Sequence, residues 1–184
     1  MANNCGFSIT LHGENKDNMR RVCDIISGDD LQYAVVRTWL GCGSIMDEDD
    51  DSITIEGQCP WTADFFWRPD KTIAGRDKVV GESKDPQGRT YVSIPYLCIL
   101  WDLTASGWEE EWGCCVDGWY SCGEDGVVYY RDTWGNVCIE HMESEPDDEW
   151  CGCLRQAVSD GRCEGCLDEA IQLITAYEEE EAVE

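Results

Sequence analysis

Five consecutive acidic side chains, Asp47 to Asp51, interrupt the chain directly before the alternating stretch Ser52 to Cys59. Carboxylates crowded in this way cannot leave water together without a large desolvation cost. Apolar, strand-like sequence lies on both sides, "YAVVRTWL" (Tyr33 to Leu40) before the run and Ser52 to Cys59 after it. Two strands joined by a segment that must stay wet predict a hairpin with the acid run at or near its tip. As a calcium loop the run fits poorly. Asp47, Asp49 and Asp51 fall at positions 1, 3 and 5 of an EF-hand, but Ser52 replaces the turn glycine and Gln58 the bidentate glutamate. A solvated loop is the better reading.

The acid run is part of a larger imbalance. Across 184 residues, 13 Lys and Arg oppose 39 Asp and Glu, a net charge of −26. Duplex DNA carries roughly one charge per 1.7 Å of axis, so this equals the charge on about 13 base pairs. A small domain needs a net charge of only about 2 to 8 to stay soluble. The excess predicts repulsion from nucleic acid and anionic lipid, and attraction to a basic partner surface. Nine tryptophans and ordinary apolar content argue against wholesale disorder. No apolar run reaches membrane-spanning length, and "MANNCGFSIT" lacks the pattern of a secretory signal. A cytoplasmic location is the expectation, and with it thirteen cysteines read as thiols, metal ligands or core residues rather than as a disulfide framework.

Periodicity along the chain predicts an α+β order. Phe7, Ile9 and Leu11 alternate with polar residues as a strand. Met19, Val22, Cys23 and Ile26 form a helical stripe between an Asn15 cap and a Gly28 stop. Ser93 and Pro95 open a second helix through Leu97, Leu100, Trp101 and Thr104, ended by Gly107. "WEEEWGCCVDGWY" and "VVYYRDTW" read as strands around the turn "SCGEDG". Leu167, Ala170, Ile171, Ile174 and Tyr177 mark a last helix whose glutamate-rich end opposes its dipole. The prediction is a ferredoxin-like antiparallel sheet with helices on one face over residues 1–142, and a cysteine-rich helical extension with an acidic tail over 143–184.

Two motifs carry candidate chemistry. In "GWEEEWG", Trp108, Glu110 and Trp112 face one side of a strand, while Glu109 and Glu111 face the other. Rigid aromatics beside carboxylates suit a protein interface; two core tryptophans on a half-wet strand are the plainer alternative. In "CGCLRQAVSDGRCEGC", Cys151, Cys153, Cys163 and Cys166 offer two close thiol pairs. They are candidates for a tetrahedral zinc site that would staple a small appendage, for core residues on short helices, or for a redox pair at Cys163 and Cys166. Cys114, Cys115 and Cys122 form a weaker cluster. The two histidines, His12 and His141, lie in no nucleophile, metalloprotease or phosphate-loop motif, so no catalytic residue is nominated and an enzyme is not expected.

Three stretches resemble a loose group of small phage and mobile-element proteins with a ferredoxin-like domain. They are "MANNCGFSITLHGENKDNMRRVCDII", "ITIEGQCPWT" and, more faintly, "YVSIPYLCILWDLTASGWEEEWGCC". The resemblance covers residues 1–140 discontinuously and leaves the cysteine-rich tail outside. It implies an acidic inhibitor of a host defence enzyme, in the manner of anti-CRISPR DNA mimics, with the Cas9–guide RNA complex as candidate partner. The contact candidates on this reading are Asp47, Glu48, Asp49, Asp50, Asp51 and the strand Trp108, Glu109, Glu110, Glu111 and Trp112. The alternative function is a zinc-stapled or thiol-redox protein centred on the four C-terminal cysteines.

Overall fold

A computed structural model describes residues 4–35, 43–60, 64–67, 84–111, 116–163 and 165–181. The elements in chain order are β1 (Asn4–His12), α1 (Lys16–Ser27), β2 (Tyr33–Ala34), β3 (Gly43–Glu48), β4 (Ser52–Pro60), α2 (Asp64–Trp67), β5 (Thr90–Tyr91) and α3 (Ile94–Trp101). There follow β6 (Thr104–Glu111), β7 (Val116–Cys122), β8 (Val128–Asp132), α4 (Trp134–Ser144), α5 (Asp148–Ser159) and α6 (Leu167–Glu181). The fold is α+β, built on a six-stranded antiparallel sheet in the order β3-β4-β1-β6-β7-β8.

The central strand β1 sets the faces of the sheet. Phe7 opposes Gly57 on β4 and Glu109 on β6, and Leu11 opposes Ile53 and Ala105. Cys5, Phe7, Ile9 and Leu11 therefore join Ile53, Ile55, Cys59 and Ala105 in one buried core with α1 and α3 residues such as Met19, Val22, Ile26, Ile94 and Leu97. The alternate residues Thr10 and Thr54 meet on the opposite face through a 2.9 Å hydroxyl hydrogen bond. Asn15 caps α1 by accepting from Asp17 N and Asn18 N, and Gly28 ends the helix at φ 84°. Both ends follow the sequence prediction.

Three elements depart from it. The strand that pairs with β4 is β3, which includes Asp47 and Glu48, rather than Tyr33 to Leu40. Tyr33 and Ala34 instead pair in parallel with Thr90 and Tyr91 in a separate two-stranded sheet, and residues 36–42 lie outside those described. An edge strand tolerates charge, because water replaces a neighbour there. The second helix stops at Trp101, where Asp102 takes a left-handed conformation (φ 58°) as C-cap. Thr104 and Gly107 consequently belong to β6. Trp134 opens the unpredicted helix α4.

The chain divides into two units, residues 1–114 with 119–130, and residues 115–118 with 131–184. Residues 131–142 thus group with the C-terminal helices. The reason is packing: Trp134, Cys138, Ile139 and Met142 of α4 share a core with Cys151, Leu154 and Ala157 of α5 and Ala170 of α6.

Candidate functional site

The acid run does sit at a hairpin tip. Asp49 N donates to Ser52 O at 2.9 Å and Gly13 N to Asp51 O at 3.1 Å, so the turn is held to both its own hairpin and the end of β1. Within the run, Glu48 is tied back to α1 by Arg20 (2.6 Å) and Lys16 (3.1 Å). Hydrogen bonds from Arg20 and then Lys16 hold its carboxyl below the usual range. Asp47, Asp49, Asp50 and Asp51 are exposed, and among the described residues none of them is in an ion pair. Four carboxylates thus face water, Asp47 from β3 and Asp49, Asp50 and Asp51 from the turn. Among the described residues no three His, Cys, Asp or Glu side chains converge to hold a metal ion.

In "GWEEEWG" the strand turns Trp108 outward and Glu109 inward. Trp108 is 41% exposed and Glu110 is exposed, whereas Glu109 is 2% exposed. Register explains this. Phe7 opposes Glu109 and Ser8 opposes Trp108, so the burial of Phe7 carries Glu109 inward. There Tyr120 Oη donates to Glu109 Oε1 at 2.6 Å and Cys5 Sγ to Oε2 at 3.8 Å. The Tyr120 ring stacks on Trp67 with centroids 5.2 Å apart. Glu109 is therefore corrected from surface contact to core residue. For Glu111 only the backbone is described, as the last residue of β6, and Trp112 lies outside the described residues.

The wet side of the sheet adds residues that sequence reasoning did not nominate. Ser8 lies between Glu56 on β4 and Trp108 on β6, and Gly6 between Gln58 and Glu110. On the next strands Trp119 is 44% and Tyr129 68% exposed. Tyr120 and Tyr130 meet with ring centroids 4.6 Å apart, so strand alternation turns Trp119 and Tyr129 to the other side. Trp108, Trp119 and Tyr129 thus stand on one face of three neighbouring strands, the face that also carries Glu56 and Glu110. Alternation in "GWYSC" and "VYYR" held this signal, but it needed the face of β1 to orient it. From the β1 register, Trp108 lies four residues along the sheet from the level of Ser52 and two strands across. At about 3.3 Å per residue and about 4.8 Å per strand, the acidic tip and Trp108 are roughly 16 Å apart.

The four C-terminal cysteines are not gathered. Cys151 is buried and Cys153 half-buried on α5, and residues two apart on a helix point to different sides. That geometry denies one ion both thiols of the C-x-C pair. Cys163 and Cys166 lie together at the turn before α6. Cys114 and Cys115 are outside the described residues, and the neighbour of Cys122 is Cys98. The hydrogen bond between these two thiols pushes Cys98 up and Cys122 down. His12 is exposed at the end of β1, and His141 stacks on Trp150 at 3.9 Å. Among the described residues no helix is long and apolar enough to cross a membrane.

Comparison with protein-family models, curated proteins and solved structures found no match.

Proposed function

We propose that this protein is a non-enzymatic, acidic binding protein of a phage or mobile element. It acts in the host cytoplasm by occupying the basic surface of a nucleic-acid-handling defence enzyme, with the Cas9–guide RNA complex as candidate target. The observation that carries this reading is the hydrogen-bonded hairpin tip, where Asp47 near the end of β3 and Asp49, Asp50 and Asp51 in the turn are exposed on the sheet that also carries Trp108 and Trp119. Carboxylates fixed in this way imitate phosphates at little ordering cost on binding. Indoles beside them supply the desolvated anchors, including cation–π contact with arginine, that a charge array alone lacks. Direct affinity for nucleic acid is not part of the reading, because the net charge of −26 opposes it.

We also propose a ferredoxin-like relationship for this sheet. The order β3-β4-β1-β6 with α1 following β1 and α3 preceding β6 supports a split β-α-β core. On this reading β7 and β8 extend the sheet beyond the four strands of that core.

The test is cleavage of target DNA by a type II-A Cas9 loaded with guide RNA, titrated with this protein at two salt concentrations. Inhibition should weaken as salt rises. The combined Asp47→Asn, Asp49→Asn, Asp50→Asn and Asp51→Asn variant should lose about tenfold in potency or more. Full potency in that variant would sink the assignment of the tip, and absence of inhibition would remove Cas9 as the target.

A further inference from the structure

The turn between α5 and α6 carries a dithiol to which the inhibitory role gives no task. Cys163 is buried and Cys166 half-buried. Cys166 N donates to Cys163 O at 3.1 Å, with Gly165 left-handed at φ 88°. A turn closed in this way keeps its end Cα atoms within about 7 Å, close to the range of about 4.4–6.8 Å that a disulfide spans.

Neighbours on both sides pin the turn. Arg162 donates to Asp132 at 2.7 and 3.1 Å. On α4, a Cβ added at Gly135 would lie 2.6 Å from Arg162 O and 2.7 Å from Cys163 Sγ, so the backbone of the turn is pressed against that helix. A second thiol pair in contact among the described residues, Cys98 with Cys122, is buried on both sides and out of reach of an oxidant in solution.

We propose that Cys163 and Cys166 form a reversible thiol–disulfide couple, oxidised by a low-molecular-weight disulfide such as oxidised glutathione. Burial, then the charge and hydrogen bond of Cys166, push the Cys163 thiol up to about 11, so it keeps its proton at neutral pH. The half-exposed Cys166 is the attacking thiol. Its thiolate displaces one glutathione from the disulfide, and that glutathione takes up the proton Cys166 released. In the mixed disulfide Cys166 bears no charge, which removes part of what raised Cys163. The Cys163 sulfur then attacks the Cys166 sulfur, and its proton goes to the second departing glutathione. Two protein thiols are oxidised, and one glutathione disulfide is reduced to two thiols.

The sequence supplies a clean assay that involves no partner protein. Trypsin cuts after Arg162, and Cys163 and Cys166 are the only cysteines in the peptide that begins there. After treatment of the native protein with oxidised glutathione and alkylation of remaining thiols, that peptide should be unalkylated and lighter by two hydrogens. Dithiothreitol should reverse the change. Cys163→Ser should accumulate glutathione on Cys166, while Cys166→Ser should leave Cys163 unmodified. A doubly alkylated wild-type peptide overturns the couple irrespective of how the variants fold. Glutathione on Cys163 in the Cys166→Ser variant overturns the order of attack.

Discussion

Glu109 and Trp108 are adjacent, yet one is in the core and the other in water, and the difference is imposed from across the ladder. Phe7 is buried beneath the helices and opposes Glu109. The carboxylate follows it inward, where the Tyr120 hydroxyl donates at 2.6 Å. Removing that hydroxyl while keeping the ring, by Tyr120→Phe, should cost about 1–3 kcal/mol, the range for taking a donor away from a buried acceptor. Tyr129→Phe removes a hydroxyl on the wet side, where Tyr129 is 68% exposed, and should stay within about 0.5 kcal/mol of the parent. Urea unfolding separates the two, since the midpoint should fall for Tyr120→Phe and hold for Tyr129→Phe. Equal losses would mean the faces are misassigned. The period-two pattern of "GWEEEWG" was legible in the sequence. Its polarity was not, because a buried glutamate breaks the apolar-inside rule and only its cross-strand and hydroxyl partners reveal why.

Element boundaries were readable where local chemistry decides them and misread where tertiary packing does. Asn15 and Gly28 end α1 by capping alone, and both stand in the sequence as such. The helix before β6 reads on to Gly107 by its apolar spacing, but Asp102 stops it in a left-handed cap. Gly107 then has a different task. A Cβ there would lie 2.4 Å from Ser8 O and 3.0 Å from Trp67 Cζ2, so the β1–β6 pair closes only around glycine. At Gly6 the added Cβ would meet Glu110 Cγ at an ordinary 3.5 Å. Gly107→Ala should therefore destabilise by about 1–3 kcal/mol, which corresponds to several degrees in Tm for a chain of this size. Gly6→Ala should be close to neutral. Thermal unfolding of both variants checks this, and a neutral Gly107→Ala would contradict the close approach of β6 to β1. Helix α4 was also within reach of the sequence, since Trp134, Cys138, Ile139 and Met142 share a face, but the strand reading of "VVYYRDTW" ran over its first turn.

For the molecule as a whole, charge sets the conditions under which the fold is most stable. A net charge of −26 favours expansion, and acidification from neutrality relieves it. Asp24 acts in the same direction. Burial, and then Asp29 and Asp30 nearby, raise its carboxyl above the ordinary value. Its ionised form costs stability, and that cost disappears as pH falls through the raised value. Asp30 and Asp85 act oppositely. Burial alone would raise them, but the Tyr33 and Gln32 amides and Arg21 hold Asp30 down, and Arg89 and the Gln87 amide hold Asp85 down. Arg20 and Lys16 do the same for Glu48. The stability these three supply is complete above the ordinary carboxylate range of about 4 and is lost as pH falls through their lowered values. The two groups of effects therefore place maximum stability on the acid side of neutrality, above the ordinary carboxylate range of about 4. Urea midpoints measured from pH 3 to 8 should rise and then fall as acid is added. Added salt should raise the midpoint at pH 7 more than at pH 5, because fewer charges remain to be screened at the lower pH. A midpoint that falls steadily from pH 7 downward would show that the ion pairs of Asp30, Asp85 and Glu48 outweigh the repulsion of the whole acidic surface.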